Sequence, residues 1–169
     1  MVLRAAANEL DDILGLTDGA LADTQRAIMN LRDALPAAGN IADRLELLLH
    51  HVLASSNVQF HLQRTGVSRE LSDDVEQHMI RICQEALSNV VRHAMARHVT
   101  VAISFDSGFI RVSITDDGRG FIVKTHGDAG SGHFGLIGMH ERATLAGGEL
   151  AIRSTEGHGT TIVLTVPCV

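Results

Sequence analysis

Apolar residues recur three and four positions apart through Met79, Ile82, Cys83, Ala86, Leu87 and Val90. That spacing predicts an amphipathic helix from Ser72 to about Ala96. Ser72 is placed to cap it, and Asp73 and Asp74 suit the positive end of its dipole. A second helix is predicted from Ile41 to about Ala54, burying Leu45, Leu48, Leu49 and Val52. Val58 to Gln63 alternates as a strand does and is closed by Gly66. Val99–Phe105 and Phe109–Thr115 alternate on either side of Ser107-Gly108, the pattern of a hairpin. Helical spacing returns from about Gly135 to Ala146, with Leu136, Met139, Ala143 and Leu145 available for burial and Gly147-Gly148 as the stop. Glu149–Ser154 and Thr160–Val166 form a last strand pair. At the other end, Asn8 to about Leu35 carries a roughly heptad stripe (Leu10, Ile13, Leu14, Leu21, Ile28, Leu31, Leu35) that Pro36 ends. It has no sequence-local partner, so it packs on a second copy, on another segment, or on nothing stable. The expected organisation is a helical piece over 1–36 and one α/β domain over 37–169.

Composition narrows the class. Of 169 residues, 45% are hydrophobic and 20% charged, enough for a packed core and too apolar for disorder. Aromatics are only 3%, without Trp or Tyr, so Leu, Ile, Val and Ala must fill that core. The net charge is -6 and no Lys/Arg-dense run occurs, which excludes broad nucleic-acid binding. Cys83 and Cys168 have no metal-binding spacing, and a reduced, cytoplasmic setting is the simplest expectation. No signal peptide and no bilayer-length apolar run is present, so no membrane contact by this chain is expected.

Three segments carry chemistry. At about 100° per residue, Arg81, Glu85, Asn89 and Arg92 share the polar stripe of the central helix. Glu85 and Asn89, four apart, can aim oxygens at one hard cation, and Arg92 can meet an anion. Asp116-x-Gly118-x-Gly120 stands at a strand end, where the carboxylate can accept from an exocyclic amine and the glycines let backbone approach a flat ring. Gly132-x-x-Gly135-x-x-Gly138 opens a helix, and N–H groups there suit phosphate oxygens. Gly157-x-Gly159-Thr160 adds a hydroxyl. Singly, these also fit a solvated helix face, an Asp-Gly turn and a flexible loop. The Lys-Ser/Thr of a P-loop and the βαβ setting of a dinucleotide fold are missing. Together they match the needs of a magnesium nucleoside triphosphate.

The same segments resemble a known family. Arg81-Ile-Cys-Gln-Glu-Ala-Leu-Ser-Asn-Val-Val-Arg-His-Ala94 is similar to the N box of bacterial sensor histidine kinases. Asp116-Asp-Gly-Arg-Gly-Phe121 resembles their G1 box, Gly132-His-Phe-Gly-Leu-Ile-Gly-Met-His-Glu-Arg-Ala143 their G2 box, and Gly157-His-Gly-Thr160 the motif before their last strand. The Gln-Glu-Ala-Leu and Gly-Leu-x-Gly-Met-x-Glu-Arg-Ala wording is similar to the nitrate-sensor subgroup, whose kinases signal to LuxR-type response regulators. The resemblance covers about residues 41 to 167. It implies the Bergerat two-layer α/β sandwich, with helices over a mixed, mostly antiparallel sheet, and ATP with Mg²⁺ as ligands. By resemblance Asn89 would ligate Mg²⁺ with Glu85 near it through water, and Arg92 and His93 would approach phosphates. Asp116 would take the adenine amine, Gly118 and Gly120 would shape the ring pocket, and Thr160 would assist by hydroxyl or water. Gly132, Gly135, Leu136 and Gly138 would contribute from the G2 box, with about Ile122 to Leu136 as the ATP lid.

A histidine kinase also needs a phosphoacceptor His followed by an acid. His140-Glu141 is the sole such pair here, inside the G2 helix beside the nucleotide, and it is expected to be a surface histidine. Asp11 in Ala7-Asn-Glu-Leu-Asp-Asp12 stands where the subgroup's motif has its His, but only one helix fits between it and the next domain. Residues 1 to 35 therefore resemble the second helix of the dimerisation hairpin. The expectation is a catalytic domain that cannot autophosphorylate alone and acts on a hairpin His of the same protein, with a homodimer possible. Two alternatives stay open: an ATP hydrolase or Ser kinase of the same superfamily, and a non-catalytic nucleotide-binding dimerisation module.

Overall fold

A computed structural model of the chain describes residues 40–122 and 134–168. The readings of the N-terminal helix, of Gly132 and of most of the expected lid lie outside these residues. In chain order the elements are α1 (Ile41–Leu53), β1 (Gln59–Thr65), α2 (Asp73–Asn89) followed by a π-helical turn (Val90–Ala94), β2 (His98–Phe105), β3 (Phe109–Asp116), α3 (Phe134–Leu145), β4 (Glu149–Ser154) and β5 (Thr160–Pro167).

The five strands form one sheet in the order β1-β2-β3-β5-β4. β1 and β2 are parallel, because the chain between them passes through α2, and every other neighbouring pair is antiparallel. Alternation decides the faces. Val99, Val101, Ile103, Ile110, Val112, Ile114, Leu164 and Val166 are buried on one side, whereas Thr100, Arg111 and Thr115 on the other are exposed. α1 and α3 flank α2, and Leu45, Leu49, Met79, Ile82, Leu87 and Met139 complete an aliphatic core. Each such Leu or Met contributes about 2–5 kcal/mol on truncation to Ala. The result is the expected two-layer α/β sandwich.

Boundaries and faces differ from the periodic reading in instructive ways. Asn40, taken as connector, caps α1, its side-chain oxygen accepting from Ala42 N (3.0 Å) and Asp43 N (3.2 Å). Ser72 sits at the α2 N-cap position but makes no side-chain cap bond. Val52 is half-buried and Leu53 takes the core place. Leu145, expected inside, is 69% exposed, and Ala146 is buried instead. The central α-helix ends at Asn89, not Ala96, where the π turn takes over. Arg44 reaches Glu76 at 2.7 Å to tie α1 to α2, and Arg64 bridges Asp43 and Glu46 to pin the edge strand β1. Among the described residues no helix is long and apolar enough to cross a membrane.

Candidate functional site

The site is assembled at the end of β3. Its last residue, Asp116, is the one buried charged side chain among the described residues. One carboxylate oxygen accepts from Gly118 N at 2.8 Å. Burial pushes its carboxyl above the usual range, and the N–H groups of Gly118 and Thr160 hold the rise in check; nearby Asp117 adds to it. A carboxylate offers about four acceptor positions, so two backbone donors leave capacity for a ligand.

Two walls close on this carboxylate. On one side lies the π turn that prolongs α2, where Ala94 O accepts from Arg119 N at 2.7 Å. A Cβ on Gly118 would stand 2.3 Å from that same carbonyl oxygen, so only glycine fits. On the other side is the β4–β5 turn, joined by Gly157 N to Arg119 O at 2.6 Å and Phe121 N to the Ser154 hydroxyl at 2.9 Å. Gly120 takes φ +59°, and a Cβ there would lie within 2.0 Å of Thr155 O. These glycines are therefore required for the turn to pass between two backbones.

The other candidates lie on the helices. Glu85 and Asn89 are half-exposed on α2, and the first turn of α3 abuts Glu85: a Cβ on Gly135 would meet Glu85 Oε1 at 2.3 Å. Leu136 and Gly138 follow on α3, half-buried, and Arg142 Nη1 donates to Gly138 O at 3.0 Å. Arg92 and His93 are exposed in the π turn. The wider i→i+5 turn rotates them away from the strict 100° stripe that would align Arg92 with Asn89. The turn ends at Met95 in the left-handed region, φ 54°, a conformation uncommon for a non-glycine residue.

Two residues here went unnoticed in the sequence. Asp117 receives Arg97 N (2.8 Å) and His98 N (2.9 Å) on one oxygen and faces His98 Nδ1 at 2.7 Å with the other. The backbone and ring of His98 bring its carboxyl down to about 2. Asp117 thus fastens the chain leaving the π turn to the turn that carries Asp116. Ser154 lies level with Thr160, which lies level with Asp116, so the three form a cross-strand row over β4, β5 and β3. An open hollow of about 510 Å³ lies at the Ser154 end, lined by Ile122, Ser154, Thr155 and Glu156. Neither residue had a signal, since a second Asp in a turn and a serine at a strand end are ordinary.

A nucleoside triphosphate with Mg²⁺ suits this donor set. Among the described residues no three His, Cys, Asp or Glu side chains converge as a metal cage. Mg²⁺ commonly takes only one or two protein oxygens and completes its shell with phosphate oxygens and water. The i, i+4 pair Glu85 and Asn89 offers that number, and the glycine-walled carboxylate suits a flat, amine-bearing ring.

Known proteins resemble this chain in sequence and fold. The chain is 30% identical over 162 residues to the signal transduction histidine-protein kinase/phosphatase DegS of Brevibacillus brevis, covering 96% of this chain and 41% of that protein. It is 40% identical over 121 residues to the sensor histidine kinase YxjM of Bacillus subtilis (strain 168), covering 71% of this chain and 28% of that one. It therefore spans less than half the length of these curated relatives. In fold it is similar to the Erythrobacter litoralis EL346 blue-light activated histidine kinase, with a TM-score of 0.64 and 20% identity over 76% of this chain and 42% of that chain. Residues 74–169, from the start of α2 onward, match the family described as histidine kinase-, DNA gyrase B-, and HSP90-like ATPase, and the chain belongs to that family.

Proposed function

We propose that residues 37–169 are the ATP-binding catalytic domain of a two-component sensor histidine kinase. It passes the γ-phosphoryl group of ATP to a His nitrogen on a helical hairpin of the same protein, releasing ADP, and a response regulator then receives the phosphoryl group. The observation that carries this reading is the buried Asp116 carboxylate, walled by Gly118 and Gly120 between the π turn that prolongs α2 and the β4–β5 turn. The sensor histidine kinases among its relatives support it.

In this reading Asp116 accepts the adenine amine, and Gly118 and Gly120 admit the ring. Thr160 assists from the next strand. Asn89 holds Mg²⁺ and Glu85 orders its water; the ion supplies charge neutralisation on the phosphates. Arg92 and His93 meet phosphate oxygens at the mouth, with Gly132, Gly135, Leu136 and Gly138 on the G2 side. Residues 1–36 serve as part of a dimerisation hairpin. The motif wording supports the nitrate-sensor subgroup and a LuxR-type regulator, the apolar stripe over Asn8 to Leu35 supports a homodimer, and the cysteine usage supports a cytoplasmic position.

Calorimetry on the intact chain tests the reading. Mg·ATP binds with a Kd between micromolar and millimolar, and Asn89→Ala weakens it at least about tenfold, the value of one lost charge-assisted contact. No binding by the folded chain refutes the proposal. A positive result leads to mixing with the hairpin-bearing protein, where acid-labile, base-stable phosphate identifies phosphohistidine.

A further inference from the structure

The cross-strand row Asp116, Thr160, Ser154 contains a hydrogen-bond chain whose direction can be worked out. Ser154 Oγ accepts from Phe121 N at 2.9 Å. It also lies 3.1 Å from Gly159 O, a carbonyl that can only accept, so the single hydroxyl proton of Ser154 goes there. The third contact, Ser154 Oγ to Thr160 Oγ1 at 2.9 Å, then takes its proton from Thr160. Thr160 has spent its only proton toward β4. What remains on its hydroxyl is lone pairs.

The neighbour on the other side has the same polarity. Asp116, level with Thr160 on β3, is buried and already receives Gly118 N. Asp116 and Thr160 thus both offer acceptors. A ring bearing an exocyclic amine satisfies them by direct donation, whereas an oxo group at that position sets lone pair against lone pair. Leaving a buried polar group without a partner is the strongest form of discrimination a small site can exert.

From this geometry we infer that Ser154 is a specificity-positioning residue: by taking the Thr160 proton it locks the Thr160 hydroxyl as an acceptor and selects 6-amino over 6-oxo purine nucleotides. The inference rests on the reading of the site as an ATP site. Ser154 acts through Thr160, at the far end of the row from Asp116.

The test is the ratio of Kd values for Mg·ITP and Mg·ATP on the intact chain. Ser154→Ala removes the acceptor, freeing the Thr160 hydroxyl to turn and donate to an oxo group. The ATP preference falls about fivefold, the value of one hydrogen bond, with ATP bound more weakly and ITP more tightly. Loosening of the turn through loss of the Phe121 N–H partner would affect both nucleotides alike and leave the ratio unmoved. Ser154→Thr keeps the hydroxyl and the ratio. In a Thr160→Val background Ser154→Ala changes the ratio no further, because the group it acts through is gone. Should Ser154→Ala not fold, Ser154→Cys, a poorer acceptor of similar shape, moves the ratio the same way by less.

An unchanged ratio in folded Ser154→Ala, or in folded Ser154→Cys should the former not fold, overturns the inference and leaves the ATP site standing, as does an equal change in the Thr160→Val background. Failure of the unaltered chain to bind either nucleotide overturns both.

Discussion

Replacing Asp116 by Asn should separate binding from stability. The amide oxygen can still accept from Gly118 N, now at 2.8 Å from the carboxylate, so the local turn keeps its bond. The amide NH₂ then occupies the other acceptor position and faces an incoming amine donor to donor. Loss of a hydrogen bond to a charged acceptor costs about 1.5–3 kcal/mol, or roughly 10- to 150-fold in Kd at 1.4 kcal/mol per decade. Stability moves the other way. Burial raises the Asp116 carboxyl above its ordinary value, so between the unfolded and folded values the native state holds more proton than the unfolded chain. Its stability therefore declines as pH rises through that window. Asn carries no such penalty. Asp116→Asn should melt at the same temperature as the unaltered chain or higher at pH 7, and the gap should close as pH falls to about 4, the unperturbed Asp value. Calorimetry with Mg·ATP and thermal unfolding from pH 4 to 8 read the two effects. ATP affinity within about threefold of the original, or a variant destabilised by more than about 1.5 kcal/mol at pH 7 (beyond one lost hydrogen bond), would refute the reasoning.

Gly118→Ala places a methyl 2.3 Å from Ala94 O, so the turn must shift; about 1–3 kcal/mol of stability should be lost, with ATP binding weakened, and an unchanged melting curve would show that the wall yields. Asp117→Ala frees the Arg97 and His98 N–H groups; because the carboxylate is half-exposed and screened, the loss at pH 7 should be about 0.5–1.5 kcal/mol. The carboxyl is held down to about 2, so this stabilisation should be complete above about pH 4, the ordinary Asp range, and disappear as pH falls through 2, which urea titrations across that range can follow. Cys83 is buried and its thiol pushed up to about 12; Ellman's reagent at pH 8 should leave it unmodified in the folded chain and label it on unfolding, and rapid native labelling at this position would contradict its burial.

Much of this protein is legible in its sequence, and the reason is periodicity. Met79, Ile82, Cys83, Ala86 and Leu87 sit on one face of α2 because the α-helical repeat leaves little choice. Alternation likewise assigned the buried faces of β2, β3 and β5. Glycines around Asp116 stood out since few other residues tolerate such turns, although the sequence could not say which backbone each one clears. That was decided by contact: Gly118 by Ala94 and Gly120 by Thr155.

Local rules failed where tertiary packing overrides them. The helical stripe stops holding at Asn89, where a π turn re-aims Arg92 and His93, and the exchange of Leu145 for Ala146 inside the core follows from how α3 meets its neighbours. Strand order and register are long-range facts. They alone place the unremarkable Ser154 in one row with Thr160 and Asp116 and join its hydroxyl to that of Thr160 in a directed hydrogen-bond chain. Sequence by itself determined the elements, their apolar faces and the candidate chemistry, because these depend on neighbours a few residues away. Tertiary structure alone decided which groups touch and which way their protons point, because those depend on residues distant in sequence, such as Asp116 and Thr160, meeting across a sheet.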